Sequence, residues 1–165
     1  LRTPTISIST HDPATKTAKI HSAEPADFKA VDENLSMALS YTVSNPPSLT
    51  DDADVAAHKA LVASGFSELV SKGGAVVRFV DFAPGYECVM HRTKSLDFGV
   101  LLEGSLLAIL DSGEQKRMQR GDLFVQRATM HQWRNVGEGW ARMLFVLLDS
   151  EEVVVGGEVL ETKFM

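Results

Sequence analysis

PGYECVMHRTKSLDFGVLLEG, residues 84–104, and GDLFVQRATMHQWRN, residues 121–135, are the stretches whose reading decides the fold. Written by spacing they are Gly85-x5-His91-x-Thr93-x3-Asp97-x6-Gly104 and Gly121-Asp122-x8-His131-x3-Asn135. The glycines mark turns, because only glycine enters the left-handed region without a steric cost. Between them apolar and polar residues alternate with the period of a strand. Working outward, Ala75 to Phe82 and Glu87 to Thr93 read as strands split by Ala83-Pro84-Gly85. Phe98–Leu102, Ser105–Leu110, Gln115–Met118, Leu123–Gln126, Gln132–Asn135 and Arg142–Leu148 follow. About eight short strands at this spacing predict an all-β barrel or sandwich.

Toward the N-terminus, Ile6 and Ile8 alternate with Ser and Thr from Thr3 to Thr10, and a second run, Thr17 to His21, can return against it as a hairpin. His11 and His21 flank that turn and are expected to be exposed. Ala23 to Asn34 is polar, carries Pro25, and reads as connection. Met37, Leu39, Tyr41 and Val43 alternate as a half-buried strand that Asn45-Pro46-Pro47 ends. From Thr50 to Lys72 the period becomes helical, with Thr50 or Asp51 as cap, a possible break at Gly65, and His58 solvated. The tail, Val153 to Met165, offers one more edge strand at a subunit contact.

A chain of 165 residues is one domain with room for a core, and the single cysteine, Cys88, is expected to be a buried or half-buried thiol. The net charge of −6 gives no footprint for nucleic acid, which would need clustered Lys and Arg. The longest apolar runs, such as Met143 to Leu148, are far too short to span a bilayer. No Gly-x-Gly-x-x-Gly, phosphate loop, Gly-x-Ser-x-Gly or Cys-x-x-Cys is present, which argues against nucleotide chemistry and covalent hydrolysis. A cytoplasmic protein acting on a small molecule is the expectation, without nucleic acid or membrane as partner.

The two glycine-bounded blocks resemble the paired motifs of the cupin superfamily of small β-barrels. The resemblance implies an all-β, cupin-type antiparallel β-barrel (jelly roll), with N-terminal extra strands and a short helical insertion. Residues 1–72 would pack as an extension on a barrel of residues 73–165, one structural domain overall. In the usual pattern the first motif offers His-x-His and a glutamate, the second offers one histidine, and together they bind a divalent metal. Here Thr93 stands for the second histidine and Asp97 for the glutamate, and Arg127-Ala128-Thr129-Met130-His131 lacks the second motif's proline and glycine. His91–Gly99 together with Val125–Asn135 also looks like a narrower group of single-domain cupins of small-molecule pathways. Several of these are placed as dehydratases or decarboxylases of polyketide-type intermediates.

Strand alternation sends Val89, His91 and Thr93 inward and Met90 and Arg92 outward, continues through Asp97, Gly99 and Leu101, and gives His131 and Trp133 one parity. The resemblance brings His91, Thr93, Asp97 and His131 together near one mouth of the barrel. Imidazoles titrate near neutral pH, so His91 and His131 are the expected acid and base, with Asp97 orienting one of them. Thr93, Trp133, Leu101 and Arg127 are the expected substrate contacts, Arg127 toward an anionic group. This predicts a metal-independent lyase, a dehydratase or decarboxylase of a carbonyl-bearing, polyketide-like intermediate, with no cofactor favoured. The alternatives are a cupin oxygenase or isomerase holding Fe, Mn, Ni or Zn on His91, Asp97 and His131, and a non-catalytic ligand-binding barrel. The resemblance implies a homodimer, since cupin barrels commonly pair, and the N-terminal strands and C-terminal tail offer edges for it. Asp122 is expected to serve its turn and Asn135 a loop.

Overall fold

The computed structural model describes residues 1–165. The elements run β1 Thr5–His11, β2 Ala18–Pro25, β3 Lys29–Ala30, β4 Leu35–Ser44, a single 3-10 turn Thr50–Asp52, α1 Ala53–Ala63, β5 Gly74–Phe82, β6 His91–Arg92, β7 Ser95–Glu103 and β8 Leu106–Leu110. They continue with β9 Gln115–Met118, β10 Leu123–Arg127, β11 His131–Asn135, β12 Ala141–Asp149, β13 Val154–Val155, β14 Glu158–Val159 and β15 Lys163–Phe164. Two antiparallel sheets make the barrel walls, one ordered β10-β7-β12-β5-β4-β3 and the other β15-β6-β11-β8-β9. β1 and β2 form a separate hairpin, as do β13 and β14.

The core lies between the sheets toward one end. Leu35, Val80, Phe82, Leu101 and Met143 face Leu106, Ala108, Met118 and Trp133. Burying each large aliphatic side chain of this set contributes roughly 1.5–3 kcal/mol. The registers β12–β5 and β12–β7 stack the inward residues in rows. Met143 sits between Val80 and Leu101, Phe145 between Arg78 and Gly99, and Leu147 between Val76 and Asp97. Each row steps two residues along the strands, so the wall passes from wholly apolar to partly charged within two steps. Gly99 makes room for this: a Cβ there would meet Phe145 at 2.8 Å and Met143 at 2.9 Å. Gly104 combines φ +86° with an approach of 2.7 Å to the Ala141 Cβ, so it serves both the turn and the packing.

Four expectations change. β4 pairs along β5 from Leu35↔Phe82 to Ser44↔Gly74, so residues 35–44 are a barrel wall and not part of an extension packed upon it. The helix stops at Ser64-Gly65, where Gly65 takes φ +81°, and Phe66 to Lys72 is irregular. Neither Thr50 nor Asp51 caps it. Asp52 is the N-cap, without a cap bond, because its carboxylate accepts the Thr10 hydroxyl and so ties the β1–β2 hairpin to the helix start. His58 is not simply solvated: its Nδ1 accepts the Thr42 backbone N–H at 3.1 Å, and its ring lies 4.7 Å from that of Tyr41. Tyr41 in turn donates to Asp54 at 2.5 Å, so both side chains clamp α1 onto β4.

The tail supplies the edge strand expected of it. It folds back on its own barrel: β15 pairs with β6, Phe164 opposite His91. Ala23 to Asn34 contains the end of β2 and the short β3, and His21 lies half-buried in β2 with a buried, unpartnered Nδ1. No helix is long and apolar enough to cross a membrane. Asn135 does hold a loop, donating to the carbonyls of Phe82, Ala83 and Gly139 and accepting from Gly137 N–H. Asp122 accepts the Gln119 N–H across its turn.

Candidate active site

The rows of the barrel wall lead to a cavity of about 90 Å³. Fourteen residues line it, nine of them hydrophobic. Phe82, Trp133, Phe145 and Leu147 supply much of the apolar wall, and His91, His131, Thr93, Asp97 and Arg78 are its polar groups. Its lining, mostly apolar with a few converging polar groups, is that of a small-molecule site, in a hollow smaller than the several hundred Å³ such sites usually enclose.

His91 and His131 are direct cross-strand partners on β6 and β11, with ring centroids 4.3 Å apart. His91 Nδ1 lies 2.8 Å from the Val89 carbonyl, and His131 Nδ1 lies 3.0 Å from the Thr129 carbonyl. A carbonyl only accepts, so each Nδ1 carries the proton and each neutral ring keeps its lone pair on Nε2. Burial pushes the His131 imidazole down to about 4, helped by His91 beside it and opposed by the Thr129 bond. Burial likewise lowers His91 against the opposing Val89 bond. Two neutral imidazoles are the result near pH 7. Trp133 meets His131 edge-on at 5.6 Å, and Phe164 from the tail stacks on His91 at 5.7 Å, with planes 5° apart.

Asp97 lies 4% exposed on β7. Its Oδ2 accepts from the Thr93 hydroxyl at 3.5 Å, and that hydroxyl accepts from Ser95 at 2.8 Å. Burial raises its carboxyl to about 6, although Ser95, Thr93 and the Arg78 charge pull the other way. Asp97 therefore does not orient an imidazole, as the sequence led us to expect; backbone carbonyls do that for both rings. No three His, Cys, Asp or Glu side chains converge closely enough to hold a metal ion. The donor set thus does not fit the three-residue centre considered from sequence.

Arg78, which the sequence analysis passed over, lines the same cavity at 6% exposed. Its Nη2 donates to the Glu68 carbonyl at 2.5 Å and the Leu69 carbonyl at 3.4 Å, fastening the irregular segment after α1 over the cavity. Burial lowers the guanidinium to about 10, with the Asp97 charge opposing. The available signal was its parity: Arg78 interrupts the inward apolar series Val76, Val80, Phe82, where a charge needs a reason.

Thr93 and Trp133 line the cavity as expected, whereas Leu101 and Arg127 do not. Leu101 is fully buried in the core beyond the cavity, and Arg127 ends β10 facing solvent. Strand parity also fails before His91. Val89 is 56% exposed and Cys88 lines the cavity, because Glu87 to Met90 is irregular and the strand is only His91–Arg92. Cys88 Sγ accepts the Trp133 N–H at 3.1 Å, and burial raises its thiol, which keeps it protonated and unreactive.

The protein-family model described as "Cupin domain" matches residues 78–147, the segment that carries these side chains. A protein named "Phomopsin biosynthesis cluster protein D" from Diaporthe leptostromiformis is 37% identical over 164 residues, covering 97% of this chain and 86% of its own length. The chain is a cupin. Among this cupin's relatives is a "Cupin-domain-containing oxidoreductase fogC" from Aspergillus ruber, 54% identical over 93 residues, covering 54% of this chain and 46% of that one. Among solved structures, the polyketide cyclase RemF from Streptomyces resistomycificus superposes with a TM-score of 0.51 at 14% identity, over 84% of this chain and 79% of that chain. That likeness extends to the fold. This cupin therefore shares its family and most of its length with a protein of a biosynthesis cluster.

Proposed function

We propose that this cupin is a small-molecule lyase, a dehydratase before a decarboxylase, acting on a carbonyl-bearing, polyketide-like intermediate. The observation that carries the reading is the pair of neutral imidazoles whose Nδ1 protons are held by carbonyls, leaving both Nε2 atoms as bases at the wall of an apolar cavity. The pair takes a proton from the carbon beside the substrate carbonyl. Asp97, protonated in mild acid because burial raises it to about 6, gives a proton to the departing hydroxyl. One carbon–hydrogen and one carbon–oxygen bond break, one carbon–carbon double bond forms, and water leaves. Exchange with solvent then returns Asp97 and the imidazoles to their starting states. Asp97 thus takes the acid role that the sequence reading gave to one of the histidines, and both histidines serve as base.

No step in this scheme needs a metal, and the donors lining the cavity do not make a three-ligand centre. A second reading, an oxidoreductase, is supported by the name of the Aspergillus ruber relative. One experiment separates them. Purified protein, treated with a chelator, is given the intermediates accumulated by a producer strain lacking the gene. The lyase reading expects a product lighter by one water, or by carbon dioxide, with no consumption of oxygen or of an added electron acceptor. A product differing by two hydrogens or gaining oxygen, or turnover abolished by the chelator and restored by one metal, would overturn it. If His91→Ala and His131→Ala leave product formation intact, the ligand-binding reading takes its place. A homodimer in the cytoplasm completes the proposal: the outer strand β10 leaves Leu123 and Val125 exposed at a sheet edge, and light scattering gives the mass.

A further inference from the structure

Two residues that line this cavity each carry a buried polar atom with no partner in the protein: Arg78 Nε and Asp97 Oδ1. They do not lack neighbours by accident of a loose loop. Arg78 is anchored by the Glu68 and Leu69 carbonyls, and Asp97 by Thr93, which Ser95 holds in turn. Both side chains are more than nine-tenths buried, and both line the cavity. Their strands flank β12 on either side, with Arg78 opposite Phe145 and Asp97 opposite Leu147, one row apart. The molecule therefore bears a fixed hydrogen-bond donor and a fixed acceptor, each desolvated, at one end of an apolar hollow. Leaving such groups unpaired is costly, so a ligand that answers both is favoured over one that answers either.

We propose that Arg78 and Asp97 form a cradle for a substrate whose carbonyl and hydroxyl oxygens stand close together, a β-hydroxy carbonyl compound, with Arg78 Nε–H on the carbonyl and Asp97 Oδ1 on the hydroxyl. A simple ketone leaves Asp97 unanswered, and a simple alcohol leaves Arg78 unanswered. A free carboxylate in the hydroxyl's place meets the Asp97 charge and is repelled. A hydroxyl suits Asp97 in either protonation state, since it both donates and accepts. The remaining lining, Phe82, Trp133 and Phe145, then takes the carbon skeleton. The inference rests on the lyase reading for its chemistry, because the two groups so bound are the ones that dehydration needs. It does not rest on that reading for its geometry.

The test is binding by saturation-transfer NMR with 4-hydroxybutan-2-one, butan-2-one, butan-1-ol and 3-oxobutanoate as probes, the last carrying a carboxylate where the hydroxyl would sit. The hydroxy ketone is expected to bind about tenfold tighter than the ketone or the alcohol, the discrimination given by one desolvated hydrogen bond. Asp97→Ala should erase its advantage over butan-2-one, and Arg78→Met its advantage over butan-1-ol. Should either variant fail to fold, Asp97→Asn keeps the shape and removes the charge, and should admit 3-oxobutanoate, which the unaltered protein rejects, at least as well as the ketone. Arg78→Lys keeps the charge without the Nε donor and should lose the carbonyl preference. Equal binding of all the neutral probes by the unaltered protein, or preferences that survive both replacements, would overturn the cradle. Because the readout is binding, a cradle that passes while no dehydration is found counts against the lyase reading alone.

Discussion

At the scale of single residues, the site is defined by what holds each titrating group. The imidazoles are neutral because they are buried, against the pull of the carbonyls that hold their Nδ1 protons, while Asp97 is protonated more readily than a free carboxylate. Activity should therefore follow a bell in pH. It rises as His131 loses its proton near about 4 and falls as Asp97 loses its proton near about 6, which a kcat/KM profile will trace. Asp97→Asn should remove the upper limb and lower kcat/KM by about 100-fold, whereas His91→Ala should lower it by about 100-fold or more across the whole range. Structural residues are read by stability instead. Asn135→Ala removes the donor shared by the buried Phe82 and Ala83 carbonyls and the more exposed Gly139 carbonyl, and should cost about 2 kcal/mol in a denaturant melt, with the site otherwise unchanged.

At the scale of elements, the strands after Gly73 were legible because period two is imposed by a wall with one face buried. β9 Gln115–Met118 occurs where the alternation placed it, and β5, β8, β10, β11 and β12 lie within one residue of it at each end. Parity gave His91, Thr93, His131 and Trp133 an inward face, and the cupin resemblance, not the period, brought the histidines, Thr93 and Asp97 to one mouth. Legibility ended where backbone geometry leaves the period. Glu87 to Met90 looked alternating but is irregular, so Val89 points away and Cys88 points in. Phe66 to Lys72 kept helical spacing, yet Gly65 at φ +81° stops the helix and frees that segment to fasten on Arg78. No local pattern announces a contact as remote as Phe164 on His91. That contact makes the tail a cover for the site. Phe164→Ala should raise the His91 pKa toward 6.5 by admitting water to the ring, observable in the histidine NMR titration, while leaving the fold's melting temperature within a few degrees.

At the scale of the whole molecule, buried ionisable groups set how stability follows pH. His131, His91 and His58 all have lowered values, so the unfolded chain binds more protons than the folded one below about 6.5, and stability falls as pH falls. Asp97 acts with the opposite sign. Its raised value means that the folded chain binds the extra proton between about 6 and 3.8, which offsets part of the loss. Three histidines outweigh one aspartate, so denaturant melts should show stability declining from pH 6.5 to 4, and His131→Phe should flatten that decline. At the far end of the barrel, the bidentate Arg142–Asp81 pair is buried under Phe28 and also holds the Arg2 carbonyl. Asp81→Ala strands that charge and should cost about 3–5 kcal/mol. The edge-on contact of Trp133 with His131 offers a way to watch these events apart. Trp133 is 3% exposed and Trp140 is 40% exposed, so the two indoles emit at different wavelengths, the buried one to the blue. An imidazolium quenches a neighbouring indole by accepting an electron. Blue-side emission should thus dim as His131 gains its proton near about 4, giving the protein an optical gauge of its own base before any red shift reports unfolding.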